Sequence, residues 1–192
     1  MRKIGVGLIG WGTVGCGVIR VLSENADAIE RRLGVGLELR RVADLELERE
    51  RPVSVPREKL TNRADDILED PEIDIVIELI GGLGAAKAVI RKALEHGKYV
   101  VTANKALLAH DGNELFDLAR RQGRAIGFEA SVGGGIPLIK SLREGLAANR
   151  VKTIFGILNG TANYILTRMT DDRLSFAEAL RGAQELGYAE AD

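Results

Sequence analysis

Residues 3–15 read Lys3-Ile4-Gly5-Val6-Gly7-Leu8-Ile9-Gly10-Trp11-Gly12-Thr13-Val14-Gly15. Residues 3–9 form a short apolar run, the pattern of a strand buried on both faces of a parallel sheet. Gly10, Gly12 and Gly15 then give G-x-G-x-x-G. Val14, Val18, Val21, Leu22 and Ile29 continue at helical spacing, which predicts one helix over 13–32, closed by Gly34. Each glycine has a physical task. Gly10 permits the tight strand-to-helix turn, Gly12 removes the Cβ that would block a pyrophosphate, and Gly15 lets helix and strand pack closely. The free N–H groups of the helix start, at Thr13 and Val14, favour a phosphate. Alone, such a motif is weak and could be a structural glycine turn; a strand before it and a helix after it are the context that marks a dinucleotide site.

Working outward, residues 37–43 read as a second strand that ends at Asp44. A carboxylate there accepts hydrogen bonds from the adenosine ribose hydroxyls. The interval from Gly15 is about thirty residues, against ~20 in the usual pattern, and the long first helix and the Gly34–Gly36 turn account for the excess. The alternative for Asp44 is a solvated strand end. Arg49 and Arg51 could hold a 2′-phosphate or lie in a solvated charged loop; Arg40 and Arg41 are further candidates. Residues 52–62 read as a polar connection and 63–69 as a short helix. Then come a strand over 73–80 ended by Gly81-Gly82, a helix over 85–95, and a strand over 98–102. A helical stretch opening at Asn104-Lys105 reads as broken near Asp111-Gly112. A helix over 113–122 and a strand over 124–128 follow. Strands alternating with helices predict an α/β, Rossmann-type doubly wound parallel sheet. Right-handed crossovers put Gly10, Asp44, Gly81, Thr102 and Glu129 along one edge, where such folds bind ligands. Lys105 follows the fourth of these positions and can reach the nicotinamide end, unless it is an ordinary solvated surface lysine.

The character changes beyond about residue 130. Residues 131–137 form a glycine-rich turn into a helix over 137–147, with Pro137 in its first turn. Residues 150–158 read as a strand. A helix follows Asn159-Gly160, and Ser175 with Glu178 is a capping box opening a last helix. The expected organisation is a nucleotide-binding domain over 1–130 and an incomplete, smaller α+β substrate domain over 131–192.

Composition narrows the partners. A formal net charge of −1 gives no electrostatic case for nucleic acid or an anionic membrane. The lone Cys16 excludes an internal disulfide framework and suits a reducing cytoplasm. It reads as a small packed residue rather than a reactive thiol. The N-terminal apolar run is glycine-broken and too short to span a bilayer. His96 and His110 are isolated, without metal spacing. Trp11 either lies against a bound dinucleotide or caps the turn.

Five segments together resemble the N-terminal portion of homoserine dehydrogenase. They are residues 7–15, Val-Thr-Ala-Asn-Lys-Ala-Leu-Leu-Ala at 101–109, Glu-Ala-Ser-Val-Gly-Gly-Gly-Ile-Pro at 129–137, Gly-Ile-Leu-Asn-Gly-Thr-Ala-Asn-Tyr-Ile-Leu at 156–166 and Ala-Gln-Glu-Leu-Gly-Tyr-Ala-Glu-Ala-Asp at 183–192. The resemblance implies NAD(P)-linked interconversion of L-homoserine and L-aspartate 4-semialdehyde, in the cytoplasm, on the route to threonine and methionine. Lys105 matches a lysine beside cofactor and substrate that assists proton transfer. Gly160, Thr161, Tyr188 and Glu190 match positions that hold the amino acid substrate. Glu129 and the carbonyls of Val132, Gly134 and Ile136 match a monovalent cation site, often sodium; oxygen donors suit such a hard ion. The family is usually a homodimer through its substrate domain. Its second lysine, the favoured proton donor, lies downstream of the last segment, so this chain alone is expected to bind nucleotide with little or no turnover.

Two other readings stand beside this one. Another Rossmann amino acid or sugar dehydrogenase is disfavoured by Asn104-Lys105-Ala106, where many sugar enzymes carry Glu-Lys-Pro. A non-catalytic nucleotide-binding regulatory module would leave the segments around Gly160 and Tyr188 without a purpose.

Overall fold

The computed structural model describes residues 3–157 and 159–189. It divides into two compact units, Met1–Gly134 and Gly135–Asp192.

The first unit is built on a six-stranded parallel sheet. Its strands are β1 (Ile4–Ile9), β2 (Leu37–Ala43), β3 (Leu60–Thr61), β4 (Ile75–Glu78), β5 (Tyr99–Thr102) and β6 (Ile126–Gly127), in the spatial order β3-β2-β1-β4-β5-β6. The order reverses beside β1. Since every neighbouring pair is parallel, the carboxyl ends of all the strands lie along one edge, with β1 at the switch point. This is the Rossmann-type sheet that the alternation of elements predicts.

Consecutive residues of β1 face opposite ways and seed two cores. Ile9 joins Val76 and Val100 with Ala86, Ile90 and Leu94 of α4 (Gly84–Glu95) and Leu107 and Leu115 of α5 (Lys105–Arg121). Leu8 joins Trp11, Val42 and, from α1 (Thr13–Glu24), Cys16 and Ile19. Each fully buried Leu or Ile contributes on the order of 1.5–3 kcal/mol, so both faces of the sheet are fastened. Cys16 is thus a packed core residue, 5% exposed.

Several elements depart from the sequence reading. The expected helix over 13–32 is two helices, α1 and α2 (Ala26–Leu33), parted at Asn25. Asn competes for backbone hydrogen bonds and favours helix ends, and Gly34 then closes α2 at φ +71. Conversely, α5 runs unbroken through Asp111-Gly112. Gly112 lies against Phe116 and Leu108, and Asp111 binds Lys87 of α4 at 2.8 Å, so tertiary contacts offset the ~1 kcal/mol cost of a mid-helix glycine. Strand β3 sits inside the expected polar connection; its two residues are too few to show a period, and its pairing with Val42 and Ala43 defines it.

In the second unit, α6 (Leu138–Lys140) passes into a wider π-type turn over Ser141–Gly145. Two longer helices follow, α7 (Gly160–Asp171) and α8 (Phe176–Glu185), packed through Ile165, Ala179 and Ala183. The capping box at α8 forms as read: Ser175 accepts from the Glu178 N–H, and Glu178 accepts from the Ser175 N–H. The expected strand over 150–158 does not form among the described residues; 151–157 are exposed and irregular, with Phe155 93% exposed. A strand needs a neighbour to take its N–H and C=O groups, and no described strand of this unit supplies one.

Candidate functional site

The carboxyl edge of the sheet is assembled from the ends of β1, β2, β4, β5 and β6. At β1, Gly10 takes φ +104, and a Cβ there would lie 2.6 Å from the Leu79 carbonyl oxygen. Gly12 is the residue before α1, with open space where a Cβ would stand. A Cβ on Gly15 would sit 2.2 Å from the Gly10 carbonyl oxygen, so helix and loop are as close as the motif requires. The start of α1 has no side-chain cap and no acidic residue in its first turn. Thr13 and Val14 are exposed there. A twelve-residue helix with uncapped N–H groups under a space free of side chains fits a pyrophosphate.

At the end of β2, Asp44 is not a free strand end. Its Oδ2 accepts from the Trp11 N–H at 2.6 Å and its Oδ1 from the Glu46 N–H at 2.9 Å. Arg51 approaches Oδ1 at 3.1 Å, with its own side chain only 6% exposed. Arg51 therefore leaves the solvated loop that its sequence neighbours suggest, whereas Arg49, 69% exposed, remains in it. The Trp11 ring packs inward with Leu8, Cys16 and Ile19, so it is a core side chain rather than a surface offered to the dinucleotide.

The ends of β4 and β5 are joined by a group that the motifs do not single out. Glu78 is fully buried. Its Oε1 accepts from the Ile80 and Gly81 N–H groups at 2.9 and 3.3 Å, and its Oε2 accepts from the Thr102 hydroxyl at 2.6 Å. The carboxylate's charge is balanced by three donors, as burial demands. Thr102 is itself fully buried, so its side chain serves the turn instead of a ligand; its Oγ1 accepts from the Asn104 N–H at 3.0 Å. Asn104 caps α5, accepting from Leu107 N–H at 3.0 Å while its side-chain amide donates to the Gly82 carbonyl at 2.6 Å. Lys105, the first residue of α5, is exposed beyond this lattice, and no described residue pairs with its ammonium. A glutamate inside the apolar run Ile-Val-Ile-Glu was the sequence signal for Glu78; a buried strand tolerates a carboxylate only where donors wait for it.

Glu129 opens a 3-10 turn, Glu129–Ser131, whose Ser131 hydroxyl donates to the Thr102 carbonyl at 3.0 Å. Val132 and Gly134 follow in the same unit, and Ile136 belongs to the second. Among the described residues no cluster of three or more His, Cys, Asp or Glu side chains could hold a metal ion.

The second unit brings three of the four expected substrate residues together. Gly160 begins α7 behind Asn159, whose side chain accepts from Ala162 N–H at 2.9 Å. The Thr161 hydroxyl donates to the Tyr188 carbonyl, and the Tyr188 ring stands edge-on to Tyr164 at 5.2 Å. The donor hydrogen of Thr161 is thereby used, and its oxygen keeps acceptor capacity. Glu190 lies outside the described residues.

No helix among the described residues is long and apolar enough to cross a membrane. Comparison with known proteins gives a consistent picture. Residues 10–129 match the homoserine dehydrogenase NAD binding domain, and 137–192 match the homoserine dehydrogenase family proper. A homoserine dehydrogenase of Neisseria gonorrhoeae is 49% identical over 192 residues, covering all of this chain and 44% of that protein. The crystal structure of a homoserine dehydrogenase from Thiobacillus denitrificans superposes with a TM-score of 0.90 at 49% identity, again covering 100% of this chain and 44% of that one. A hyperthermophilic archaeal homoserine dehydrogenase solved in complex with NADPH gives 0.77 at 26% identity, covering 99% of this chain and 63% of that one. The chain thus spans less than half the length of the first two relatives. Matches at this identity along the whole sequence, on the same sheet, mean that the chain belongs to the homoserine dehydrogenase family.

Proposed function

We propose that this chain supplies the nucleotide-binding domain, residues 1–130, and the first part of the substrate domain, 131–192, of an NAD(P)-dependent homoserine dehydrogenase. The reaction is reversible hydride transfer between L-homoserine and L-aspartate 4-semialdehyde, on the route to threonine and methionine. The observation that carries this reading is the shared carboxyl edge: the phosphate-binding glycines, Asp44 and Lys105 all emerge there from a parallel sheet.

When bound, the nicotinamide supplies or accepts the hydride. The protein's own groups then have separate tasks. The start of α1 holds the pyrophosphate through Gly12, Thr13, Val14 and Gly15, and Asp44 faces the ribose. Gly81, three residues past the end of β4, would border the dinucleotide. Reduction of the aldehyde builds negative charge on its oxygen, and the Lys105 ammonium stabilises that charge. The N–H groups near Gly160, the Thr161 oxygen, Tyr188 and Glu190 hold the amino acid portion of the substrate. Glu129 and the carbonyls of Val132, Gly134 and Ile136 hold a monovalent cation, taken as sodium. We place the enzyme in the cytoplasm as a homodimer.

Two experiments test this. NADH titrated into the chain should quench the emission of Trp11, the one tryptophan of the sequence; saturating NADH without any change in emission or in melting temperature would overturn nucleotide binding. In the enzyme that carries this chain, Lys105→Met should leave NADH affinity near that of the unaltered protein and lower kcat by about 10²–10⁴. An unchanged kcat would remove Lys105 from the chemistry.

A further inference from the structure

The connection after β2 sends one cation back onto the phosphate-binding loop. Arg51 Nε donates to the Trp11 carbonyl at 2.6 Å, one terminal nitrogen donates to the Arg49 carbonyl at 2.8 Å, and the other meets Asp44 Oδ1 at 3.1 Å. The guanidinium also lies 4.3 Å from the centre of the Trp11 ring. Asp44 completes the circuit by accepting from the Trp11 N–H at 2.6 Å. Trp11 is the middle residue of Gly10-Trp11-Gly12, so both polar groups of its peptide backbone are held from outside the loop. All three guanidinium nitrogens are engaged and the side chain is 6% exposed, so this arginine is a committed structural cation.

From this arrangement we infer that Arg51 is a positioning residue for the dinucleotide site: it sets the glycine loop through the Trp11 carbonyl and holds Asp44 in place for the ribose, without touching the nucleotide. The idea rests on the nucleotide-binding reading. It departs from the alternative in which Arg51 grips a 2′-phosphate, because each of its nitrogens already has a partner in Trp11, Arg49 or Asp44 and the side chain is only 6% exposed. It also gives the pair a role in cofactor choice. Arg51 neutralises the Asp44 carboxylate, and an unneutralised carboxylate beside the ribose repels a 2′-phosphate. Loss of Arg51 should therefore weaken NADPH more than NADH.

Arg51→Met and Arg51→Lys in the 192-residue chain separate these possibilities, with dissociation constants measured for both NADH and NADPH. Binding by the unaltered chain tests the nucleotide site itself, and only the variants test Arg51. Arg51→Met should weaken NADH about tenfold, the scale of one lost charge-assisted hydrogen bond, and NADPH by several-fold more than that. Arg51→Lys keeps the charge but reaches fewer partners, and should fall between the two. Trp11 emission should shift to the red in the Met variant as its covering cation is lost, while circular dichroism at 25 °C stays that of a folded chain. If Arg51→Met does not fold, Arg51→Lys is read alone against the same expectation: both cofactors weaker than in the unaltered chain. A loss confined to NADPH would make Arg51 a phosphate ligand and overturn the inference, as would unchanged affinity for both cofactors.

Discussion

Two glycines three residues apart should fail in different ways when each becomes alanine. The added Cβ of Gly15→Ala would lie 2.2 Å from the Gly10 carbonyl oxygen, where ordinary contact begins at 3.4 Å, so loop and helix must part by about 1.2 Å. Overpacking of this kind costs ~1–3 kcal/mol. Alanine inside α1 returns up to ~1 kcal/mol of helix propensity, which leaves a net loss of roughly 1–2 kcal/mol. At ~2–4 °C per kcal/mol for a chain of this size, the melting temperature should drop by about 2–8 °C. The Cβ of Gly12→Ala meets nothing within 4 Å, and φ −82 suits alanine. Its melting temperature should stay within about 1 °C of the original, because surface changes without new contacts move stability little. Its cost should appear only with ligand: the added methyl occupies the space through which the pyrophosphate approaches, and NADH affinity should fall about tenfold or more. Thermal circular dichroism and an NADH fluorescence titration, run on both variants, read the two effects independently. Equal destabilisation by the two substitutions would refute the open space over Gly12. Full NADH affinity in Gly12→Ala would refute the placing of the pyrophosphate.

Other groups give further tests. Thr102→Val orphans one oxygen of the buried Glu78 carboxylate and the Asn104 N–H, so it should destabilise the fold by about 2–4 kcal/mol, with Thr102→Ser recovering most of the loss; equal melting temperatures for the Val and Ser variants would deny the hydroxyl its role. Lys98, 4% exposed, donates to the carbonyls of Asp70 and Ile73, and burial holds its ammonium below the ordinary 10.5. The folded chain therefore sheds this proton before the unfolded chain does, and the penalty of the buried charge is full below the folded value and is relieved as pH rises from there towards 10.5. The stability of the unaltered chain relative to Lys98→Met, from denaturant melts, should rise across that window; a fall would reverse the assignment. The Ser175 hydroxyl, and then its backbone N–H, hold Glu178 below its ordinary 4.5, so the stabilisation of α8 is complete above 4.5 and fades as pH falls through the folded value. Ser175→Ala should cost ~1 kcal/mol and flatten that acid limb, measured as helicity against pH; an unaltered limb would count against the capping box.

Strict local patterning made much of the fold legible in advance. The apolar run before the glycines, the spacing of Gly10, Gly12 and Gly15, and the alternation of strands with helices were enough to assign a Rossmann-type parallel sheet. Each of these signals arises from backbone sterics or from a period of 2 or 3.6 residues, which a linear sequence carries by itself. The position of Lys105 follows from the same pattern, three residues past the end of β5. Asn25 and Gly112 misled because propensity is a weak prior: one helix parted where no strong breaker stood, and another crossed a glycine that Phe116 and Leu108 cover.

What only the tertiary structure decided concerns partners far apart in the chain. The burial of Glu78, the diversion of Thr102 from ligand to turn, and the fate of Arg51 each depend on a group 24 to 40 residues away. Hydrogen bonds and ion pairs act over a few ångströms in space, and no sequence period records them. Asp44 shows the division in one residue. The sequence placed its carboxylate at the end of β2; the fold determined that Trp11 and Arg51 already hold it.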